Sequence, residues 1–104
     1  MADYIFVYHG GKPPTDPAEV EKVMGAWNDF YQGLGDKVVN GGGPLGMSST
    51  VSKSGVAGNG GANPASGFTV VKAASQDEAN KMAKGCPILD EPGGSVEVAE
   101  IIVM

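Results

Sequence analysis

Ser66-Gly67-Phe68-Thr69-Val70-Val71-Lys72-Ala73-Ala74-Ser75-Gln76-Asp77-Glu78-Ala79 decides the fold class, because two kinds of apolar spacing meet inside it. Phe68, Val70 and Val71 are β-branched or aromatic and read as a strand, after which the spacing changes from period 2 to period 3.6. The change falls at Ser75, three residues before Glu78. This is the pattern of a capping box, in which the serine hydroxyl takes an orphan helix N–H and the carboxylate returns to the cap's own N–H. The stretch therefore predicts a strand running directly into a capped helix.

Downstream, Ala79, Met82, Ala83 and Cys86 form a narrow stripe of small residues, which lets this helix lie close to a sheet. Gly85 is placed to terminate it and Pro87 prevents continuation. Glu91-Pro92-Gly93-Gly94 then turns the chain into a last strand, Ser95 to Val103, rich in Val and Ile.

Upstream, Gly46 to Ala65 is dominated by Gly, Ser, Asn and Ala. A structureless loop of about 20 residues is unusual in a compact domain. A small hairpin, with Thr50-Val51-Ser52-Lys53 and Val56-Ala57 flanking Ser54-Gly55, is the better reading. Lys37-Val38-Val39 begins a strand that Gly41-Gly42-Gly43-Pro44 interrupts. Before it, Val20, Val23, Met24, Trp27, Phe30, Tyr31 and Leu34 recur at spacings of 3 and 4, one apolar stripe of a helix. Asp16 is its N-cap, Pro17 its first residue, Glu19 its third, and Gly33 and Gly35 offer the stop. Lys12-Pro13-Pro14-Thr15 is a loop. Tyr4-Ile5-Phe6-Val7-Tyr8 is a run of strand formers without alternation, which suits a strand buried on both faces. His9 ends it and Gly10-Gly11 break it.

The order is β-α-β-(arm)-β-α-β. Two split βαβ halves of this kind give an α+β, ferredoxin-like βαββαβ sandwich, four antiparallel strands with both helices on one face and a small hairpin arm between strands two and three. The first strand then has an apolar face that no helix covers. A second copy of the chain, packed through the sheet face, is the cheapest cover and predicts a homodimer.

Composition narrows the function. The 104 residues suit one domain spanning 1–104, with 41% apolar and 18% charged residues and a net charge of −5. Every basic residue is a lysine, so no guanidinium fork is present for phosphate or carboxylate. Nucleic acid and anionic membrane are not expected partners. The single cysteine, Cys86, leaves no intramolecular disulfide and fits a reducing, cytoplasmic setting. No apolar run approaches the roughly 20 residues of a membrane span.

At these residues the chain resembles the YCII-related proteins of the dimeric α+β barrel superfamily. The resemblance runs through Phe6-Val7-Tyr8-His9-Gly10, Trp27, Ser66-Gly67-Phe68, Ala74 to Ala79, Gly85-Cys86-Pro87-Ile88-Leu89 and Gly93 to Val98. It implies a ferredoxin-like protomer whose sheets pair into a dimeric α+β barrel. It also implies cofactor-free isomerase or lyase chemistry on a small, aromatic or lactone-like compound. Two departures stand out. Ala62-Asn63-Pro64-Ala65 occupies the place of the Asp-Gly-Pro-Phe motif of many relatives, and the early turn of the first helix holds Val20 where some members carry a candidate catalytic histidine.

The candidate site follows from residue chemistry. His9 is the only histidine and stands where a strand meets a glycine pair, the place for an acid/base at a pocket mouth. The plainer reading is a strand-end histidine bonded to a loop carbonyl. Asp29 would orient His9, or simply face solvent. Trp27 and Tyr31, one helical turn apart, would line a small-molecule pocket between helix and sheet, or belong to the core. Pro44 and Asn63 would shape its rim. Asp90 and Glu91 would reach a cleft, or form an ordinary polar turn. Gly41-x-Gly43-x-x-Gly46 matches a dinucleotide fingerprint in letters alone, because Pro44 and Met47-Ser48-Ser49-Thr50 open no helix for a pyrophosphate; a loop or bulge is the reading. One histidine and one cysteine are too few ligands for a metal, and no cofactor is expected. A non-catalytic dimer that binds a ligand or a protein is the alternative to the enzyme.

Overall fold

The sheet is built on β1 (Ala2–His9), whose partners are β5 (Ala65–Ala73) on one side and β6 (Ser95–Glu100) on the other. The computed structural model describes residues 1–11, 14–61 and 63–104; Lys12 and Pro13 of the first loop, and Ala62 of the Ala62–Ala65 segment, lie outside the described residues. The remaining strands and α-helices are α1 (Pro17–Leu34), β2 (Val38–Pro44), β3 (Thr50–Ser52), β4 (Gly55–Ala57) and α2 (Gln76–Ala83), with short 3-10 turns at Gly35–Lys37 and Pro87–Asp90. The main sheet has the order β2-β5-β1-β6 with every pairing antiparallel, and β3 and β4 form a separate two-stranded arm. This is the ferredoxin-like α+β arrangement expected from the sequence.

Strand alternation divides the sheet chemically. Tyr4, Phe6 and Tyr8 of β1 pair with Val71, Thr69 and Gly67 of β5, and all are buried in the core with Phe30, Leu34, Ala79, Ala83, Cys86 and Ile88. The opposite face carries Ile5 and Val7 beside Val70 and Phe68, all half-buried. Ala79 and Ala83 are fully or nearly fully buried, as a close helix–sheet contact requires.

Both helix starts follow their caps. Asp16 accepts the Ala18 N–H at 3.2 Å with Pro17 in the first turn. Ser75 accepts the Glu78 N–H at 3.1 Å. The second half of the expected capping box is not made: the Glu78 carboxylate lies 3.8 Å from the Lys37 ammonium, and its attraction to that charge replaces a bond to the cap N–H. Gly35, at φ +58°, ends α1.

The first strand runs Ala2–His9, longer than the expected Tyr4–Tyr8, and three further boundaries differ from the expected ones. The last strand stops at Glu100 rather than Val103; the Ile101 N–H still donates to Asp3 O at 2.8 Å, and Ile102–Met104 are exposed. The arm turns at Lys53-Ser54 rather than Ser54-Gly55, since Gly55 is itself paired with Ser52 and adopts φ +132°. The glycine run does not end β2. It continues the strand through register shifts to Pro44, with Gly42 at φ +61° pressed so close to Phe68 O that an added Cβ would stand 1.9 Å from it.

Candidate functional site

The bulge in β2 sets up the site. Asn40 Oδ1 accepts the Gly42 N–H at 2.9 Å, and the Gly41 carbonyl faces α1 and β5, where it accepts the Tyr31 hydroxyl at 3.2 Å. The Thr69 hydroxyl stands 3.4 Å from the same carbonyl. Thr69 Oγ1 is 2.9 Å from the Tyr31 oxygen and 2.7 Å from the Tyr8 oxygen. Tyr8, Thr69, Tyr31 and Gly41 thus form a hydroxyl chain crossing from β1 through β5 to α1 and ending on a backbone carbonyl. The Thr69 side chain is fully buried, so the chain also satisfies a group that would otherwise be costly inside the core.

Above this chain lies a cavity of about 680 Å³ between α1 and the sheet, within the range of small-molecule sites. Trp27 and Tyr31 of α1 form one wall, Gly41 to Pro44 another, and Tyr8, Gly67 and Ile88 the floor and far side. Trp27 is the hub of the aromatic wall, with Tyr8 edge-on at 5.2 Å and 70°, Phe30 at 6.0 Å and Tyr31 at 6.0 Å. Among the described lining residues the one charged side chain is Glu91. A smaller cavity of about 500 Å³ beneath the arm adjoins it through Gly10, Gly11, Leu45 and Ser66.

Burial pushes the Tyr8 phenol well above its ordinary range, with the Thr69 hydrogen bond offsetting only part of that shift. Tyr8 is therefore a neutral hydroxyl and not an oxyanion. Burial likewise pushes the Cys86 thiol up to about 11, against a smaller opposing effect of its hydrogen bonds and with the carboxylates of Glu91 and Asp90 adding to the rise. A thiol so held is a poor nucleophile and packs as a small apolar residue.

The residues singled out in the sequence do not converge on one place. Trp27, Tyr31 and Pro44 line the cavity; His9, Asp29 and Asn63 are not among the described residues that do. His9 follows Tyr8 across a register shift and takes the other face of the sheet, beside Glu97. The expectation that it opens into the helix–sheet pocket is corrected accordingly. Its Nε2 is 2.9 Å from Glu97 Oε1, and its Nδ1 is 3.0 Å from Asn63 O and 3.3 Å from Pro64 O. Both nitrogens face oxygen acceptors, so the ring makes both bonds only with a proton on each. Asn63 contributes its backbone carbonyl here rather than a side-chain amide at a rim. Asp29 is exposed on α1. Glu91, weighed as part of a polar turn, lines the cavity.

Tyr8 and Thr69 were not singled out by sequence reasoning. Each reads as a core strand residue, and their hydroxyls meet only because β1 and β5 pair in the observed register. No group of three or more His, Cys, Asp or Glu among the described residues is placed to hold a metal ion. No helix among them is long and apolar enough to cross a membrane.

Compared with known proteins, the chain matches no family model, and no curated protein matches it in sequence. Among solved structures it is similar to 5-chloro-2-hydroxyhydroquinone dehydrochlorinase from Burkholderia phenoliruptrix AC1100, in complex with 2,5-dihydroxybenzoquinone. The likeness has a TM-score of 0.55 and 17% identity, and covers 92% of this chain and 90% of that one. At that identity it is a likeness of fold alone, and it agrees with the ferredoxin-like α+β architecture described above.

Proposed function

We propose that this chain is a small-molecule-binding protein that acts as a YCII-like homodimer, with the cavity between α1 and the sheet as its ligand site. The observation that carries the reading is an apolar, Trp27-walled cavity of about 680 Å³ whose lining includes Tyr8 and Tyr31, the two tyrosines joined through Thr69. The structurally similar dehydrochlorinase is described in complex with a small ring compound, which is consistent with this use of the fold. Isomerase or lyase chemistry with His9 as acid/base is the second reading, favoured by the Glu97 carboxylate 2.9 Å from the ring. Against it, both ring nitrogens are already engaged and the ring lies away from the cavity.

The test uses the single tryptophan as reporter. In a screen of small ring compounds, a ligand of the cavity changes Trp27 fluorescence and raises the melting temperature, because binding the native state stabilises it by about 2.7 kcal/mol at a hundredfold excess over Kd. Trp27→Ala abolishes the thermal shift, and His9→Gln leaves it intact. Ligands that shift Tm equally in the Trp27→Ala protein would place the site elsewhere. For a compound found to be turned over, loss of turnover in His9→Gln with binding retained would support the second reading.

A further inference from the structure

The cavity between α1 and the sheet has one charged corner. Where β1 gives way to Gly10-Gly11, the Glu91 side chain folds against Gly11 beside Ile88, and a Cβ on Gly11 would collide with both. The backbone of Glu91 is held from two directions: its N–H donates to Ile88 O at 3.1 Å, and its carbonyl accepts the Gly94 N–H at 3.0 Å. Gly11, Ile88 and Glu91 all line the cavity, so the carboxylate belongs to its wall.

Glu91 is also the one group there that chooses by charge. The Asn28 amide and the hydroxyls of Ser66 and the two tyrosines are neutral and can each donate or accept, whereas a carboxylate only accepts. Among the described residues the charged contacts are His9 with Glu97 and Lys37 with Glu78, and neither engages Glu91. The chain as a whole adds to the same sign, since its net charge is −5 with every lysine counted.

We infer that the cavity takes a ring compound carrying a protonated amine, its ring against the Trp27 wall and its ammonium at Glu91, in preference to the same body carrying a carboxylate. This rests on the cavity being the ligand site proposed above, and it narrows the chemistry of the ligand. An ammonium gains a charge-assisted hydrogen bond, an alcohol only a hydrogen bond to the same oxygen, and a carboxylate is repelled. Glu91 is half-buried, so solvent and salt screen it in part, and its contribution is about three- to tenfold in affinity.

Three probes of similar shape test it: 2-naphthylmethylamine, 2-naphthalenemethanol and 2-naphthoate, titrated by calorimetry at neutral pH. The expected result is that the amine binds most tightly and naphthoate most weakly. Glu91→Gln keeps the shape of the side chain and removes its charge, so the amine-to-alcohol affinity ratio falls by about three- to tenfold. A ratio unchanged by Glu91→Gln, naphthoate binding as tightly as the amine, or no amine binding at millimolar concentration overturns the inference. Salt decides the question in the unmodified protein if Glu91→Gln fails to fold. Raising NaCl from about 0.05 to 0.5 M weakens the amine and not the alcohol, and equal salt responses overturn the inference. Binding of the amine and the alcohol by the Trp27→Ala protein as tightly as by the unmodified one overturns the underlying site assignment instead.

Discussion

Gly42 and Gly25 are the same residue type under opposite constraints. Gly42 combines φ +61° with a backbone contact that leaves no room for a Cβ, and it is the residue whose turn presents the Gly41 carbonyl to Tyr31 and Thr69. Gly25 sits exposed within α1 with nothing near its absent Cβ. Gly42→Ala is therefore expected to destabilise the fold by about 2 kcal/mol or more, from left-handed backbone strain and the clash with Phe68 O. Gly25→Ala is expected to stabilise it by about 0.5–1 kcal/mol, from lower chain entropy in the unfolded state and better helix propensity. Urea midpoints for the two variants check both signs, and a neutral Gly42→Ala would show that the bulge is dispensable.

At the scale of elements, the arm is the least supported part of the molecule. Two three-residue strands with Val51 and Val56 exposed do not make a hairpin stable by itself. What ties its return segment to the body is His9, whose Nδ1 lies between the Asn63 and Pro64 carbonyls while Nε2 reaches Glu97 on β6. His9→Ala is expected to speed amide hydrogen exchange across Thr50–Ala57 while leaving Tyr4–Tyr8 protected. Unchanged exchange in the arm would mean that the ring does not hold it. The elements themselves were legible in sequence wherever the signal is local: Asp16 before Pro17, Ser75 before Glu78, the stripe from Val20 to Leu34. Pairing is not local. That Tyr8 would meet Thr69 depends on β1–β5 register, and that Gly41 O would turn inward depends on a bulge, so the hydroxyl chain had no signal in either segment alone. His9 is different. Period-2 alternation along Tyr4, Phe6 and Tyr8 already sets His9 on the opposite face from the aromatic core, and this cue outweighs its sequence proximity to the pocket-lining tyrosine.

For the whole molecule, the two faces of the sheet are unequal. One is covered by α1 and α2, and the other presents Ile5, Val7, Phe68 and Val70 half-buried at its centre, in a slab only 19 Å across its thinnest dimension. The proposed homodimer closes that face against its own copy. In a two-fold interface each substitution occurs twice, and residues near the axis meet their own equivalents. Val70→Lys would then bring two ammonium groups into a desolvated apolar contact, whereas an exposed substitution such as Lys81→Ala on α2 would leave association unchanged. Light scattering behind size exclusion is expected to give twice the 10.5 kDa chain mass for the unmodified protein and for Lys81→Ala, and the single chain mass for Val70→Lys. A Val70→Lys protein that still runs as a dimer would move the interface off the sheet face. An unmodified protein that is monomeric at micromolar concentration would leave the apolar face uncovered and refute the dimer altogether.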